Sequence, residues 1–517
     1  MLESLQSDLD AIGSASMEAR AHTALIGLGF SSEQIEGSIG QLSGGWQTRA
    51  ALAAALIQKT DVLLLDEPTN FLDLPAVIWL QHYLTTSLPA STTLVVTTHD
   101  REFADTVAES LLILRVTPEF TLETFTGSLS DYYDETRRQI RRMTKMSAAL
   151  EKKKSHMEST MQNSIAAAKR TGDDKKLKLA ASRKKKLEER TGLEVGTKGG
   201  RFKLNRDLPG YHLTNRADID IPALDPPVTM SIPDQPSKLR NTDGALISLE
   251  NVNFTYNKAK KATLININLN IHPGSRTALV GLNGSGKTTL VNLITSTFLN
   301  GPLAAGKTSG NISHHPQAQI AQYNQHATTT LLQKGLSEPT LTPLTYLSRL
   351  YPSIAEQPLR ALLSGLALPP ATQAHTPLSA LSGGQLVRVA LAECLLPSPP
   401  HLLILDEPTT HLDADSIIAL IRALKHYQGA LLIVSHDRFF IRCVVEGMSV
   451  RQASSTRRTD EEEESESSGD EVNDQAGSVG RVYRLTRTSG RMIHLPRGMD
   501  EYEEIVVKQL ARQGINI

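Results

Sequence analysis

Apolar residues along this chain gather in short unbroken runs rather than in strict alternation. Val62-Leu-Leu-Leu65, Thr93-Leu-Val-Val-Thr97, Thr277-Ala-Leu-Val280, Leu402-Leu-Ile-Leu405 and Leu431-Leu-Ile-Val434 are the clearest. Runs of this length with no polar face are the pattern of strands buried on both sides of a parallel sheet. Helix-forming stretches lie between them, among them Ala50-Ala-Leu-Ala-Ala-Ala-Leu56 and Leu290-Val-Asn-Leu-Ile294. Strand and helix therefore alternate, which predicts an α/β fold.

The run at 277–280 leads into Gly281-Leu-Asn283-Gly284-Ser285-Gly286-Lys287-Thr288-Thr289 and then into a helical pattern. Strand, glycine loop and helix in that order is the setting of a P-loop, the α/β NTPase motif. Its backbone N–H groups and the helix N-terminus attract phosphates. Lys287 adds a point charge, and the Thr288 hydroxyl can ligate Mg²⁺. The motif implies a nucleoside triphosphate site.

A second feature is internal repetition. Leu42-Ser43-Gly44-Gly45-Trp46 precedes Asp66-Glu67-Pro68-Thr69-Asn70-Phe71-Leu72-Asp73 and then His99-Asp100. The same order returns as Leu381-Ser382-Gly383-Gly384-Gln385, Asp406-Glu407-Pro408-Thr409-Thr410-His411-Leu412-Asp413 and His436-Asp437. Even the ends correspond, Phe125 to Tyr132 with Leu495 to Tyr502. Two copies of one nucleotide-binding unit are present, and one of them carries the glycine loop.

These motifs resemble the ATP-binding cassette (ABC) ATPases. Two cassettes, a basic segment between them and no apolar span resemble the ABC-F subfamily, whose members are tied to ribosomes and translation. The resemblance implies tandem cassettes joined by a helical-hairpin linker. Domain bounds are expected at 1–136 (an incomplete first cassette), 137–206 (the basic linker), 207–245 (a Pro-rich connector) and 246–507 (a complete second cassette). It also implies roles: Asp406 holds Mg²⁺, Glu407 is the general base on the attacking water, and His436 contacts the γ-phosphate. Gln325 senses Mg²⁺ and that water, and Tyr256 stacks on adenine. Asp406 is expected to end a strand beside the P-loop strand. Because ABC cassettes pair head to tail, Ser43, Gly44 and Gly45 should close the site built on Lys287, within one monomeric chain. The mirror site, Asp66, Glu67 and His99 with Ser382, Gly383 and Gly384, has no P-loop. Lys287 precedes Ser382 by about 95 residues, so the matching lysine would fall upstream of Met1. Within this sequence we therefore expect one functional ATP site, and an N-terminal truncation in preference to the alternative, a naturally degenerate first half. Two positions depart from the family pattern: Phe71 stands where His411 stands in the second copy, and Gln47-Thr48 replaces a more basic pair. The first puts cross-talk between the two sites in doubt.

Charge changes the picture of the middle. The whole chain has a net charge of −1, yet residues 137–206 hold 22 Lys or Arg against 7 Asp or Glu. Thr171-Gly172-Asp173-Asp174 interrupts two helical stretches there, which suggests a hairpin. Such density is the footprint of phosphate-backbone binding, and the resemblance names rRNA and tRNA as partners. A DNA- or chromatin-associated ABC ATPase and the ATPase subunit of a transporter are the alternatives. Near Asp460 to Glu471 the opposite holds: an acidic, serine-containing block, within 452–480, is expected to be disordered. Two cysteines, no run long enough for a membrane span and no secretory signal point to a cytoplasmic protein.

Overall fold

The computed structural model describes residues 14–70, 72–115, 121–171, 228–233, 244–257, 261–299, 306–454 and 480–512. Phe71, the acidic block and the second half of the basic linker lie outside them. The chain divides into two units, residues 1–107 with 228–517 and residues 108–227.

In the first unit the N-terminal part begins with α1 (Ser14–Gly27) and α2 (Gly44–Ile57). Strand β1 (Val62–Asp66), α3 (Leu74–His82), β2 (Thr93–Thr97) and α4 (Arg101–Val107) follow. β1 and β2 pair in parallel, Val62 opposite Thr93 through Asp66 opposite Thr97. Leu63 and Leu65 enter a core with Leu28, Trp79, Leu80 and Phe103. The expectation of strands buried on both faces fails here. Val62, Leu64 and Val95 are 53%, 71% and 38% exposed, so among the described residues this pair is covered on one face only. An apolar run states what a strand can bury, and the elements packed on it decide how much it does.

The smaller unit holds an antiparallel pair, β3 (Ser110–Arg115) and β4 (Thr121–Thr126), and one helix, α5 (Leu129–Thr171). Among the described residues α5 runs 43 residues without a break. The return arm of the expected hairpin lies outside the described residues.

The second cassette belongs to the first unit. Strands β5 (Ile247–Tyr256) and β6 (Leu264–Ile271) lead to β7 (Arg276–Val280), whose glycine loop feeds α6 (Lys287–Leu299). Next come β8 (Gly306–His314), β9 (Ile320–Tyr323) and the helices α7 (Ala327–Ser337), α8 (Pro343–Leu350) and α9 (Glu356–Gly365). Then follow α10 (Gly383–Cys394), β10 (Leu402–Asp406), α11 (Ala414–His426), β11 (Ala430–Val434) and α12 (Arg438–Val444). β12 (Arg481–Leu485), β13 (Met492–Leu495) and α13 (Gly498–Arg512) close the chain. The main sheet runs β13-β12-β7-β11-β10-β9, all neighbours parallel except β12 and β13. A three-stranded antiparallel sheet, β6-β5-β8, flanks it. β10 and β11 are buried at every position, the outcome their sequences predict.

Two expectations change. Asp406 does not end a strand beside the P-loop strand, because β11 lies between β7 and β10 and brings His436 next to the glycine loop. Strand order depends on crossovers that periodicity does not encode. The Pro-rich segment 207–245 is also not uniform. Met230 and Ile232 are buried in the second cassette's core, and Ser231 N–H donates to Gly365 O at 2.7 Å.

Candidate functional site

The glycine loop turns where only glycine turns cheaply: Gly284 and Gly286 have φ of 77° and 100°. A Cβ on Gly281 would come within 2.5 Å of Leu485 O, so the backbone there packs directly on β12. Lys287, the first residue of α6, is 8% exposed. Its Nζ donates to Gly281 O at 2.6 Å and lies 3.2 Å from His436 Nε2. Burial pulls the Lys287 pKa down, while Glu407, Asp73 and Asp406 oppose the shift. Ser285 Oγ is buried in the same loop with no hydrogen-bond partner.

Glu407 sits one residue past β10 with φ of 52°, a strained conformation that turns its side chain away from the strand line. Oε2 accepts from Ser435 Oγ at 3.4 Å and His436 N–H at 3.3 Å. Oε1 is buried without a hydrogen-bond partner, 3.7 Å from His436 Nε2. Burial raises the carboxyl to about 7, Lys287 pulls it back and Asp406 adds to the rise. Asp406 is 3% exposed and is also raised by burial, with Lys287 and His326 opposing. His436 is held well below its usual range by burial and by Lys287 and Arg49, so its ring is neutral. Its Nε2 is 3.2 Å from Asn283 Oδ1. The Tyr256 hydroxyl lies 2.8 Å from Thr289 Oγ1 at the end of β5. Gln325 lies between β9 and α7.

The first copy meets this loop directly. Asn283 N–H donates to Asp73 Oδ2 at 3.4 Å, and Asp73 Oδ1 accepts from Arg49 at 3.3 Å. Arg49 also donates to Leu28 O at 2.9 Å and lies over the Trp46 ring. Ser43 is the N-cap of α2, and its side chain makes no cap hydrogen bond. Ser43, Gly44 and Gly45 line one cavity of about 1180 Å³ with Tyr256, Asn283, Lys287, Thr288, Thr289, Gln325, Asp406, Glu407 and His436. Sequence patterning does not mark Asp73 or Arg49 as site residues. The signal that could have found Asp73 is the repeated Asp-Glu-Pro-Thr-x-x-Leu-Asp, which returns at Asp413.

The mirror half is wetter and differently committed. Glu67 has φ of 45°, matching Glu407, and its Oε1 is 3.6 Å from His99 Nε2. Those two side chains are 25% and 54% exposed, against 16% and 18% for Glu407 and His436. Asp66 accepts a hydrogen bond from Thr97. Ser382 is locked in a capping box with Gln385, its Oγ accepting from Gln385 N–H at 3.3 Å. Glu67, His99 and Gly383 line the same cavity; Gly384 follows in α10.

Among the described residues no group of three or more His, Cys, Asp or Glu could hold a metal ion by itself. An ion carried by a triphosphate fits better. The unpartnered Ser285 Oγ, the buried Asp406 and the cavity-lining Thr288 and Gln325 supply few hard oxygen donors and leave the rest to phosphate and water.

A family model described as ABC transporter matches residues 3–70 and 264–410. ABC transporter F family member 3 of Arabidopsis thaliana is 35% identical over 441 residues, 85% of this chain and 54% of that protein. Probable ATP-binding protein YheS of Escherichia coli K12 is 34% identical over 448 residues, 86% of this chain and 61% of that one. ATP-binding cassette sub-family F member 2 of Mus musculus is 32% identical over 452 residues, 86% and 63%. The chain thus spans between about half and two thirds of the length of these relatives. Among solved structures, one described as RNase-L Inhibitor is similar at a TM-score of 0.48 and 16% identity, covering 94% of this chain and 71% of that one.

Proposed function

This chain belongs to the ATP-binding cassette family and its ABC-F branch, and we propose that it hydrolyses ATP to ADP and phosphate at the Lys287 site, with the first-copy signature as the lid. The observation that carries this is the free Oε1 of Glu407, dry, beside Lys287 and His436 and inside the cavity that Ser43 to Gly45 also line.

The loop amides and Lys287 hold the β- and γ-phosphates, and Tyr256 takes the base. Thr288, Asp406 and Gln325 would hold Mg²⁺, which would neutralise charge on the phosphate oxygens. Glu407 accepts a proton from the attacking water at Oε1, and the neutral His436 sits at the γ-phosphate. The amides of Gly44 and Gly45, at the start of α2, meet the same phosphate from the opposite side. In the mirror set Ser382 is held in its own capping box.

In the ABC-F reading, ATP closure sets the pose of the basic linker on ribosomal RNA and tRNA, and hydrolysis releases it. This is a cytoplasmic site of action; among the described residues no helix is long and apolar enough to cross a membrane. The test uses Glu407→Gln with Glu67→Gln, ATP and sedimentation of cell extract. Retention with ribosomal particles is expected. Co-purification with membranes, or with nuclease-sensitive chromatin, would overturn the ribosomal role. Absence of ATP binding by the unsubstituted chain would overturn the ATPase.

A further inference from the structure

The two His-Asp segments start equivalent helices, and these helices touch. Asp100 Oδ1 caps Phe103 N–H at 3.0 Å in α4, and Asp437 Oδ1 caps Phe440 N–H at 2.9 Å in α12. In register, Arg101 matches Arg438 and Glu102 matches Phe439. The contacts cross between copies. The Arg101 guanidinium lies 5.3 Å from the Phe439 ring centroid, while Arg438 Nε lies 2.5 Å from Glu102 Oε2. Arg442, one turn further along α12, donates to Glu102 Oε1 at 2.8 Å. Glu503 and Asp500 of α13 complete the cluster, each 2.9 Å from Arg442 Nη2. Glu102, Arg438 and Arg442 are 13%, 11% and 5% exposed, so solvent screens them little.

The two helices are tied to each other chiefly by one carboxylate of α4 that grips two guanidinium groups of α12. The Arg101 contact with the Phe439 ring adds to it. His436 lies two residues before Arg438, and its backbone N–H also anchors Glu407 Oε2. A displacement of α12 therefore moves the γ-phosphate contact and the general base together.

We propose that Glu102 is a positioning residue for hydrolysis: from the first copy it fixes α12 of the second, and through it His436 and Glu407. This rests on the ATPase reading above. Glu102 does not line the cavity, so its effect should fall on turnover and spare affinity.

The test compares Glu102→Gln and Glu102→Asp in the full chain, measuring ATP affinity by calorimetry and steady-state hydrolysis. Glu102→Gln is expected to lower kcat about tenfold, since small misplacements of reacting groups are expensive, with Kd for ATP changed less than about twofold. Glu102→Asp, which keeps the charge, is expected to regain most of the rate. An unchanged kcat in Glu102→Gln overturns the proposal. So does a parallel loss of affinity and rate that Glu102→Asp does not relieve, which is the signature of general damage to the interface. Failure of the unsubstituted chain to bind ATP would overturn the ATPase reading and this proposal together.

Discussion

Glu407 is asked to be dry and basic at once. Burial raises its carboxyl to about 7 from an ordinary 4.5, so below that pH the folded protein holds a proton there that the unfolded chain has released. The group works as a base only when ionised, so kcat/KM should climb as pH rises to about 7 and then level. Glu407→Gln should remove that limb and slow hydrolysis ~10²–10⁴-fold. Stability runs the other way. The native state binds more protons than the unfolded state between about 4.5 and 7, so this group's contribution falls as pH rises through that window. At pH 8 the Gln variant is expected to melt above the parent. A flat rate profile, or a Gln variant that melts lower at pH 8, would contradict the assignment. As a candidate, this residue was legible in the sequence through Asp-Glu-Pro-Thr, the motifs around it and the resemblance to ABC cassettes. Its φ of 52°, and the unpartnered oxygen that results, were not, because they arise where β10 ends against β11.

Among elements, α2 and the segment after β1 carry the contact of the first copy with the glycine loop. Arg49 is 3% exposed and Asp73 12%, and together they reach the Asn283 amide. Arg49→Met leaves a nearly buried carboxylate without its partner, which costs about 3–5 kcal/mol. Chemical denaturation of the full chain should show that loss, and Asp73→Asn added to Arg49→Met should return part of it. The strands argue the limit of sequence patterning. Val62-Leu-Leu-Leu65 and Leu402-Leu-Ile-Leu405 are nearly the same run, yet the second is wholly buried and the first shows Leu64 to solvent at 71%. Hydrophobicity sets the capacity of a strand for burial; the neighbours on each face set the amount. The basic arm poses a separate question. Changing Lys152, Lys153 and Lys154 in α5 to Glu should weaken binding to ribosomal RNA and flatten its dependence on salt, read as log Kd against log salt concentration. An unchanged slope would make α5 a spacer.

For the molecule as a whole, the proposed sandwich would hold one nucleotide with residues separated by more than two hundred positions. Gly44 tests this cleanly, because a Cβ there meets nothing within 4 Å. A Cβ therefore fits there, and in the proposed sandwich Gly44→Asp would set a carboxylate against the phosphates. We expect ATP binding at Lys287 to persist and hydrolysis to fall at least ~100-fold, the scale of losing preorganised phosphate donors. Equal rates in parent and variant would mean that the second cassette works without its lid.

What the sequence determined by itself was chemistry and order: a phosphate loop, carboxylates and histidines at strand ends, a duplicated unit, and a basic middle. These depend on local spacing, which a single chain displays directly. Tertiary structure alone decided that β11 stands between the P-loop strand and Asp406, that Asp73 and Arg49 bridge the copies, and that Glu102 grips the helix behind His436. Each of those is a contact between distant segments, and its energy comes from burial and charge pairing that exist only once the chain has closed on itself.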